Sequence, residues 1–247
     1  KDSITNTIVI SPKPTPSFTF VNLCENDVTQ FTDASSIVSG TIISWSWDFD
    51  DGVGFSTLQS PTYTYGTPNT YNVKLVVVSD FGCTDSITIP ITINPLPAAD
   101  AGLDQVICNT GTVQIGGLPT SVTPNVSYLW DNATSLNSAT LSNPDASPIV
   151  TTRFSLTVTE NTTGCFDTSS VVVTVNPIPV VDFTIADTCI GNTTLFTDVS
   201  SISIGTNTNW TWDFGDGIGT STIQNPTYTY SAAGTYSVKL IVASAVG

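Results

Sequence analysis

The chain has 247 residues, 40% of them hydrophobic, with 20 acidic and 5 basic residues and a formal net charge of −15. Its hydrophobic content excludes a disordered polypeptide, and its negative charge excludes nucleic acid as a partner because the surface would repel phosphates. The sequence contains no His, the commonest general base and zinc ligand. Any catalysis would therefore have to rest on carboxylates.

The apolar residues occur in short runs such as VKLVVVS and SVVVTV. These runs are far below the roughly 20 residues of a membrane helix, so membrane insertion is not predicted. Short alternating segments separated by turn residues predict an all-β chain. The sequence begins with Lys and shows no N-terminal export signal, so we expect its targeting signals to lie outside it.

The first predicted element is a spare strand. Residues 2–16, DSITNTIVISPKPTP, resemble residues 85–97, DSITIPITINPLP. We therefore interpret residues 1–16 as the last strand of a preceding repeat followed by a linker. A hypothesis follows: residues 2–10 of one molecule could complete the sandwich at 180–247 of another by strand addition.

Two regions of the chain are copies of each other. A shift of 165 positions aligns FTDASSI with FTDVSSI, QSPTYTY with QNPTYTY and TYNVKL with TYSVKL. Repetition of this kind predicts two small β-sandwich domains, residues 17–97 and 180–247, of which the second lacks its final strand.

Residues 98–179 predict a diverged sandwich between these copies. Cys108, Trp130 and Cys165 are 22 and 35 positions apart, close to the 23 and 36 positions between Cys24, Trp47 and Cys83. Pro-rich links, NPLP at 94–97 and NPIP at 176–179, should be short and stiff.

The same spacing predicts the disulfides Cys24–Cys83 and Cys108–Cys165. Cys189 corresponds to Cys24, and its mate would follow the last residue of the sequence. Five free thiols are the alternative. Pairing is favoured because it suits an exported β protein.

The most distinctive motif is WSWDFDDG at 45–52, repeated as WTWDFGDG at 210–217. Because strand side chains alternate, Ile43, Trp45, Trp47 and Phe49 should share one face. A sandwich core is favoured over a sugar-binding platform. The tryptophans predicted to lie in cores are Trp45, Trp47, Trp130, Trp210 and Trp212.

The acidic residues of the motif predict turns rather than catalysis. Asp51-Gly52 and Asp216-Gly217 are typical of tight turns. Asp50 is replaced by Gly215 in the second copy, so a catalytic carboxylate pair is not preserved and an enzyme is not predicted. Further along the first copy, Tyr71 is suited to a corner hydrogen bond.

Calcium is the one candidate cofactor, and none is required. Oxygen ligands from Asp and Ser suit this ion, but no EF-hand spacing is present, and turn-holding carboxylates are the alternative. The candidate ligands are Asp33, Ser35 and Asp48, with their counterparts Asp198, Ser200 and Asp213.

The motifs WxWDFGDG, NPTYTY and GTYSVKL closely resemble the polycystic kidney disease (PKD) domain, and residues 98–179 resemble Ig-like repeats found beside it. The resemblance implies tandem Ig-like β-sandwiches in an elongated array. Such arrays occur in large exported surface proteins of gliding Bacteroidota, the SprB-type adhesins. Asp50 departs from the usual Gly of the motif.

This resemblance implies an extracellular, cell-surface segment with a structural and adhesive role. It would be a stiff stalk whose partners are neighbouring repeats and a polysaccharide or protein ligand that the sequence does not identify. The alternative is a non-catalytic, substrate-binding accessory module of a secreted hydrolase, since PKD domains also serve in that setting.

Overall fold

A computed structural model describes residues 2–118, 120–186 and 188–245. Strands dominate, and within those ranges the one helix is a single 3-10 turn, Ala133–Ser135. None of the residues described forms a helix long and apolar enough to cross a membrane. The all-β prediction is confirmed.

The first sandwich packs two antiparallel sheets, ordered β1-β2-β5 and β4-β3-β6-β7. Its strands are β1 Phe18–Val21, β2 Val28–Asp33, β3 Ile42–Asp48, β4 Phe55–Ser56, β5 Thr62–Thr64, β6 Thr70–Ser79 and β7 Thr84–Thr92. β7 is an edge strand, which explains why it tolerates Pro90.

The middle strands form a four-stranded sheet, ordered β10-β12-β13-β8, and a two-stranded sheet, β11-β9. Their bounds are β8 Gln105–Cys108, β9 Val113–Gln114, β10 Val126–Trp130, β11 Asp145–Ala146, β12 Thr152–Glu160 and β13 Phe166–Asn176. β8 runs parallel to β13, so Cys108 lies beside Asn176 at the end of that strand.

The last sandwich repeats the first, with four of its six strands shorter, in sheets ordered β14-β15-β18 and β17-β16-β19. The strands are β14 Phe183–Ile185, β15 Thr194–Asp198, β16 Asn207–Asp213, β17 Thr220–Ser221, β18 Thr227–Tyr228 and β19 Lys239–Ser244. β19 pairs with β16 as β6 pairs with β3. β19 ends its sheet, at the place where β7 follows β6 in the first sandwich.

The five tryptophans predicted to lie in cores differ in their burial. Trp47 and Trp212 are 0% exposed, and Trp130 is 2% exposed. Trp45 and Trp210 are half-buried and pack against the edges of the same cores. The interior that holds the repeat together is thus largely aromatic, with Phe31 and Phe49 packed around Trp47.

The predicted face of β3 needs one correction. A β-bulge between Ile42 and Ser44 interrupts the alternation. Ile42 therefore packs against the core, whereas Ile43 is 60% exposed. A bulge inserts one extra residue and reverses the side-chain direction before it, which simple alternation misses.

The chain separates into two compact units. The first takes in the described residues up to Ala98 with Val122–Ser127 and Val158–Asp167; the second takes in Ala99–Ser121, Tyr128–Thr157 and the described residues from Thr168 onward. The three-domain division at 97/98 and 179/180 stays a prediction.

Residues 2–10 form no strand pairing within the described part of their own chain. Their apolar side chains, Ile4, Ile8, Val9 and Ile10, are all at least 85% exposed. The next residues do contact the first sandwich, where Lys13 Nζ lies 3.5 Å from Asp85 Oδ1.

Both predicted disulfides are wrong. Cys24 is bonded to Cys165, with their Cα atoms 5.6 Å apart, and the described free cysteines are Cys83, Cys108 and Cys189. Cys83 comes directly before β7, but Cys24 is bridged to Asn94 beyond the other end of that strand. Eleven extended residues span about 36 Å, whereas the Cα atoms of a disulfide lie within about 7 Å.

The middle strands repeat this arrangement. Cys165 comes directly before β13, and Cys108 pairs with Asn176 at its far end. Equal spacing in the two units was therefore a correct observation. The two cysteines of each unit lie at opposite ends of one long strand, so they are too far apart to form a disulfide.

Candidate functional site

Asp33 is one of the residues that line a shallow hollow of about 350 Å³ in the first sandwich. Its Oδ1 accepts a hydrogen bond from the Ser35 amide at 3.0 Å. Its Oδ2 accepts one from Trp45 Nε1 at 2.8 Å and one from Gln59 Nε2 at 3.1 Å. One carboxylate therefore ties a turn, a core tryptophan and a neighbouring loop together.

The last sandwich repeats this cluster. Asp198 Oδ2 accepts hydrogen bonds from Trp210 Nε1 at 2.7 Å and from Gln224 Nε2 at 3.1 Å, and its Oδ1 accepts one from the Ser200 amide. Desolvation alone would raise the pKa of Asp198, but the hydrogen bonds from Ser200, Gln224 and Trp210 outweigh it and lower that pKa. The folded state therefore stabilises the charged form of Asp198.

Asp48 and Asp213 act separately from these clusters. Asp48 Oδ1 accepts from the Asp50 amide at 2.9 Å, and Asp213 Oδ1 accepts from the Gly215 amide at 2.9 Å. Asp33 and Ser35 line the hollow, but Asp48 is not among its lining residues. The structure thus brings two of the three predicted ligands together.

Calcium binding stays a prediction. Across residues 2–118, 120–186 and 188–245, no group of three or more Cys, Asp or Glu side chains is arranged to hold a metal ion. Asp33 would have to give up hydrogen bonds from Trp45 and Gln59 to coordinate one. Thermal unfolding with millimolar calcium or with a chelator is the test: a raised midpoint in calcium supports a site, and an unchanged midpoint contradicts it.

A contact that the sequence analysis missed joins Asp51 to Tyr63. The Tyr63 hydroxyl donates to Asp51 Oδ2, while Asp51 Oδ1 accepts from the amides of Val53 and Gly54 at 3.1 and 2.7 Å. In the last sandwich, the Tyr228 hydroxyl donates to Asp216 Oδ2 at 2.5 Å. The signal was available: Asp and Tyr are 12 residues apart in both copies.

Gly54 lies two residues after the motif, and the close approach of Tyr63 requires a glycine there. A Cβ at this position would lie 2.4 Å from Tyr63 Cζ, and one at Gly219 would lie 2.4 Å from Tyr228 Cζ. Any side chain would therefore displace the tyrosine from its carboxylate. The motif combines a turn, a close approach and a hydrogen bond.

The pKa values follow this geometry. Desolvation and the hydrogen bond to Asp51 raise the pKa of Tyr63 to about 12. Desolvation opposes ionisation of Asp51, but the hydrogen bonds from Tyr63, Gly54 and Val53 lower its pKa. The hydrogen bond with Asp216 is the main reason that the pKa of Tyr228 rises to about 12.

The corner hydrogen bond of Tyr71 is confirmed. Its hydroxyl donates to the Thr67 carbonyl oxygen at 2.9 Å, and the Tyr236 hydroxyl donates to the Ala232 carbonyl oxygen at 2.9 Å. Like the carboxylates above, these tyrosines are positioned by the loops that they fix. The indole N–H of Trp45 is held in the same way, by Asp33.

Comparison with known proteins identifies one matching family. The PKD domain family matches residues 11–93 and 176–247. No curated protein matches the chain.

Several solved structures are similar to parts of the chain. The PKD1 domain of Vibrio anguillarum Epp is 23% identical, over 35% of this chain and 99% of that domain, with a TM-score of 0.33. The PKD1 domain of the Vibrio cholerae metalloprotease PrtV is 29% identical, over 34% and 99%, with a TM-score of 0.29. A structure of carbohydrate-binding modules from the β-sandwich superfamily is 18% identical, over 93% and 83%, with a TM-score of 0.32.

Proposed function

The chain belongs to the PKD domain family, and from that premise we propose that it is a non-catalytic structural and adhesive segment of a large cell-surface protein. It acts as a stiff extended stalk that presents binding surfaces for attachment and, in a SprB-type adhesin of a gliding bacterium, for movement over a surface. Its immediate partners are neighbouring repeats of the same chain.

The observation that carries this proposal is the use of the same residues in both PKD copies. The tryptophans fill the cores, and Asp33, Asp51, Asp198 and Asp216 each accept several hydrogen bonds from residues of their own sandwich. Groups committed in this way stabilise a module and are not available for proton transfer. Repetition of a stabilised module suits a spacer.

The setting of the family supports export. PKD domains occur in extracellular or secreted proteins, and the Cys24–Cys165 disulfide suits an oxidising compartment. The net charge of −15 keeps such a segment soluble and discourages contact with other anionic polymers.

Small-angle X-ray scattering of the 247-residue chain tests the stalk. Three sandwiches end to end, each ~35–40 Å long, would reach about 110 Å, which gives a radius of gyration of about 32 Å for a rod. A compact protein of this length would have a radius of gyration of about 18 Å. A value near the compact figure would overturn the stalk.

Pull-down on insoluble polysaccharides separates the two roles of a PKD segment. A stalk should pass through without retention, whereas an accessory module of a secreted hydrolase should be retained on one polymer. Trp45→Ala and Trp210→Ala should then abolish the retention. Ile218→Ala, at an exposed loop position of the last sandwich, is the matched control.

A further inference from the structure

Four oxygen atoms converge in the middle part of the chain, where the loop after β9 meets the loop before β11. Thr120 is only 3% exposed. Its Oγ1 lies 3.0 Å from the Gly117 carbonyl oxygen, 3.1 Å from the Ser142 carbonyl oxygen and 3.1 Å from Asn143 Oδ1. A hydroxyl has one proton to donate, so it can satisfy only one of these three acceptors.

The Gly117 carbonyl oxygen lies at the shortest of the three distances, and it also accepts from Asn143 Nδ2 at 3.0 Å. The second bond fixes the Asn143 amide with Oδ1 turned towards Thr120, because the opposite orientation would bring two oxygens together. Among the described residues, neither the Ser142 carbonyl oxygen nor Asn143 Oδ1 accepts another hydrogen bond. With the Thr120 proton on Gly117, both of these oxygens face the buried Thr120 oxygen without a proton between them.

A glycine keeps the space beside these oxygens clear of side-chain carbon. A Cβ at Gly116 would lie 2.6 Å from Asn143 Nδ2 and 2.7 Å from the Ser142 carbonyl oxygen. The φ of Gly116 is 106°, a conformation that glycine adopts without strain. Any other residue here would push the oxygens apart.

A carboxylate lies against the same loop. The Asp100 amide donates to the Thr120 carbonyl oxygen at 3.0 Å, and the Asp100 carbonyl oxygen accepts from the Gly117 amide at 2.9 Å. Asp100 Oδ1 accepts from the Gly102 amide at 2.8 Å, but Oδ2 accepts no hydrogen bond from any described residue. A Cβ at Gly117 would lie 2.1 Å from this Oδ2, so its negative charge is held close to the loop.

We propose that this cluster binds a calcium ion through Thr120 Oγ1, the Ser142 carbonyl oxygen and Asn143 Oδ1, with Asp100 supplying negative charge beside them. Carbonyl, amide, hydroxyl and carboxylate oxygens are the ligands that Ca²⁺ takes, and water completes its shell. Two ligands of one calcium ion, each about 2.4 Å from it and about 72–90° apart, lie about 2.8–3.4 Å from each other. The observed separations of 3.1 Å from Thr120 Oγ1 fall within this range.

The neighbouring hydrogen bonds position these ligands. The Gly117 carbonyl oxygen takes the Thr120 proton and one proton of the Asn143 amide, so that the lone pairs of both side chains point to the ion. A single carboxylate predicts weak binding, with a dissociation constant of about 10⁻⁴–10⁻³ M, as in extracellular calcium modules. The site is separate from the Asp33 cluster and uses none of its residues.

Hydrogen exchange during a calcium titration at constant ionic strength tests the site. In wild type, peptides covering residues 115–118 and 141–146 should exchange more slowly as calcium rises through the millimolar range, and the effect should saturate. Thr120→Val removes the hydroxyl but keeps the shape of the side chain, and it should lose this response. Thr120→Ser keeps the oxygen and should retain it.

Two further variants separate binding from general effects. The Thr152 hydroxyl donates to the Val150 carbonyl oxygen at 2.7 Å elsewhere in the middle strands, so Thr152→Val is the matched control and should respond as wild type does. Asp100→Asn keeps the size of the side chain and removes its charge. It should shift the titration midpoint to about tenfold higher calcium, because calcium affinity depends on the number of charged ligands.

The proposal is overturned if wild type shows no slowing at about 10 mM calcium, which is at least tenfold above the expected dissociation constant. It is also overturned if Thr120→Val responds as wild type does, since the ion would then bind elsewhere, as at the Asp33 cluster. An equal response to sodium at the same ionic strength would show screening of the acidic surface instead, and would overturn it too.

Discussion

The first and last sandwiches share about half of their aligned residues and differ in one strand. Leu75 is 0% exposed under β7, whereas its counterpart Leu240, on the open edge, is 9% exposed. Tyr65, Tyr71 and Val73 are buried, but Tyr230, Tyr236 and Val238 are only half-buried. The aromatic centre is unchanged, because Trp47 and Trp212 are both fully buried.

The difference shows that the centre and the margin of each sandwich are stabilised by different contacts. The centre depends on side chains within the motif and forms in both copies. The margin depends on a partner strand, which lengthens β6 to ten residues where β19 has six. Four predictions test this division, from the largest expected effect to the smallest.

The largest effect concerns equivalent cysteines. Cys24→Ser should lower the free energy of unfolding by about 3–5 kcal/mol, because the bond to Cys165 restricts an unfolded loop of 141 residues. Cys189→Ser should change it little, since Cys189 is free. Urea unfolding followed by tryptophan fluorescence measures both.

Cys83→Ser is the control within the first sandwich, and it should behave like Cys189→Ser. An equal loss for Cys83→Ser and Cys24→Ser would instead restore the pairing expected from spacing. Peptide mapping without reduction gives a direct check, with one cross-linked pair containing Cys24 and Cys165.

Truncation of a core leucine should destabilise the first sandwich, where β7 covers it, more than the last sandwich. Leu75→Ala should cost about 2–5 kcal/mol, and Leu240→Ala about 1 kcal/mol less, because a site at an open edge leaves a smaller unfilled cavity. Hydrogen exchange of peptides from each sandwich in the full chain resolves the two. Equal losses would show that β7 adds nothing to the core, and Val38→Ala, at a position 95% exposed, controls for local effects.

The third prediction exchanges residues between the copies. A Cβ at Gly215 would lie 2.4 Å from the Ser237 carbonyl oxygen, so Gly215→Asp should cost about 1–3 kcal/mol. Asp50→Gly should cost about 1 kcal/mol or less: it loses the hydrogen bond from the Asn72 amide but relieves a positive φ of 62°. Thermal unfolding measures both, and a symmetric result would contradict the structure.

The smallest effect is that of Tyr63→Phe, about 1 kcal/mol from a largely solvent-screened hydrogen bond to Asp51. Since the pKa of Asp51 is lowered in the folded state, this contribution is present above about pH 4 and is lost as the pH falls further. Since the pKa of Tyr63 is raised to about 12, it is present below about pH 10 and is lost as the pH rises towards 12.

The difference between wild type and Tyr63→Phe should therefore be constant from about pH 5 to pH 9. Chemical unfolding at several pH values measures it. Asp51→Asn, alone and combined with Tyr63→Phe, completes a double-mutant cycle. A difference that grows at low pH would mean that the neutral carboxyl is the better partner.

Periodicity and repetition were enough to predict the strands and the burial of Trp47, Trp130 and Trp212. They fail where the structure depends on strand ends, bulges or side-chain contacts that neither pattern encodes. The Cys24–Cys165 bond is one case, because equal spacing does not say at which end of a strand each sulfur lies. The bulge at Ile42 is another case. Asp33 is a third: it was predicted as a ligand or a turn residue, and its carboxylate accepts its shortest hydrogen bond from Trp45.

The Cys24–Cys165 bond has a mechanical consequence. When such a chain is pulled from its two ends, tension enters at Cys24 and leaves at Cys165 through a covalent link. The residues between them cannot extend, whatever happens to their hydrogen bonds. Only the segments before Cys24 and after Cys165 can lengthen, at up to about 3.3–3.6 Å per residue. The disulfide therefore limits how much the end-to-end length of the chain increases when its sandwiches unfold under tension.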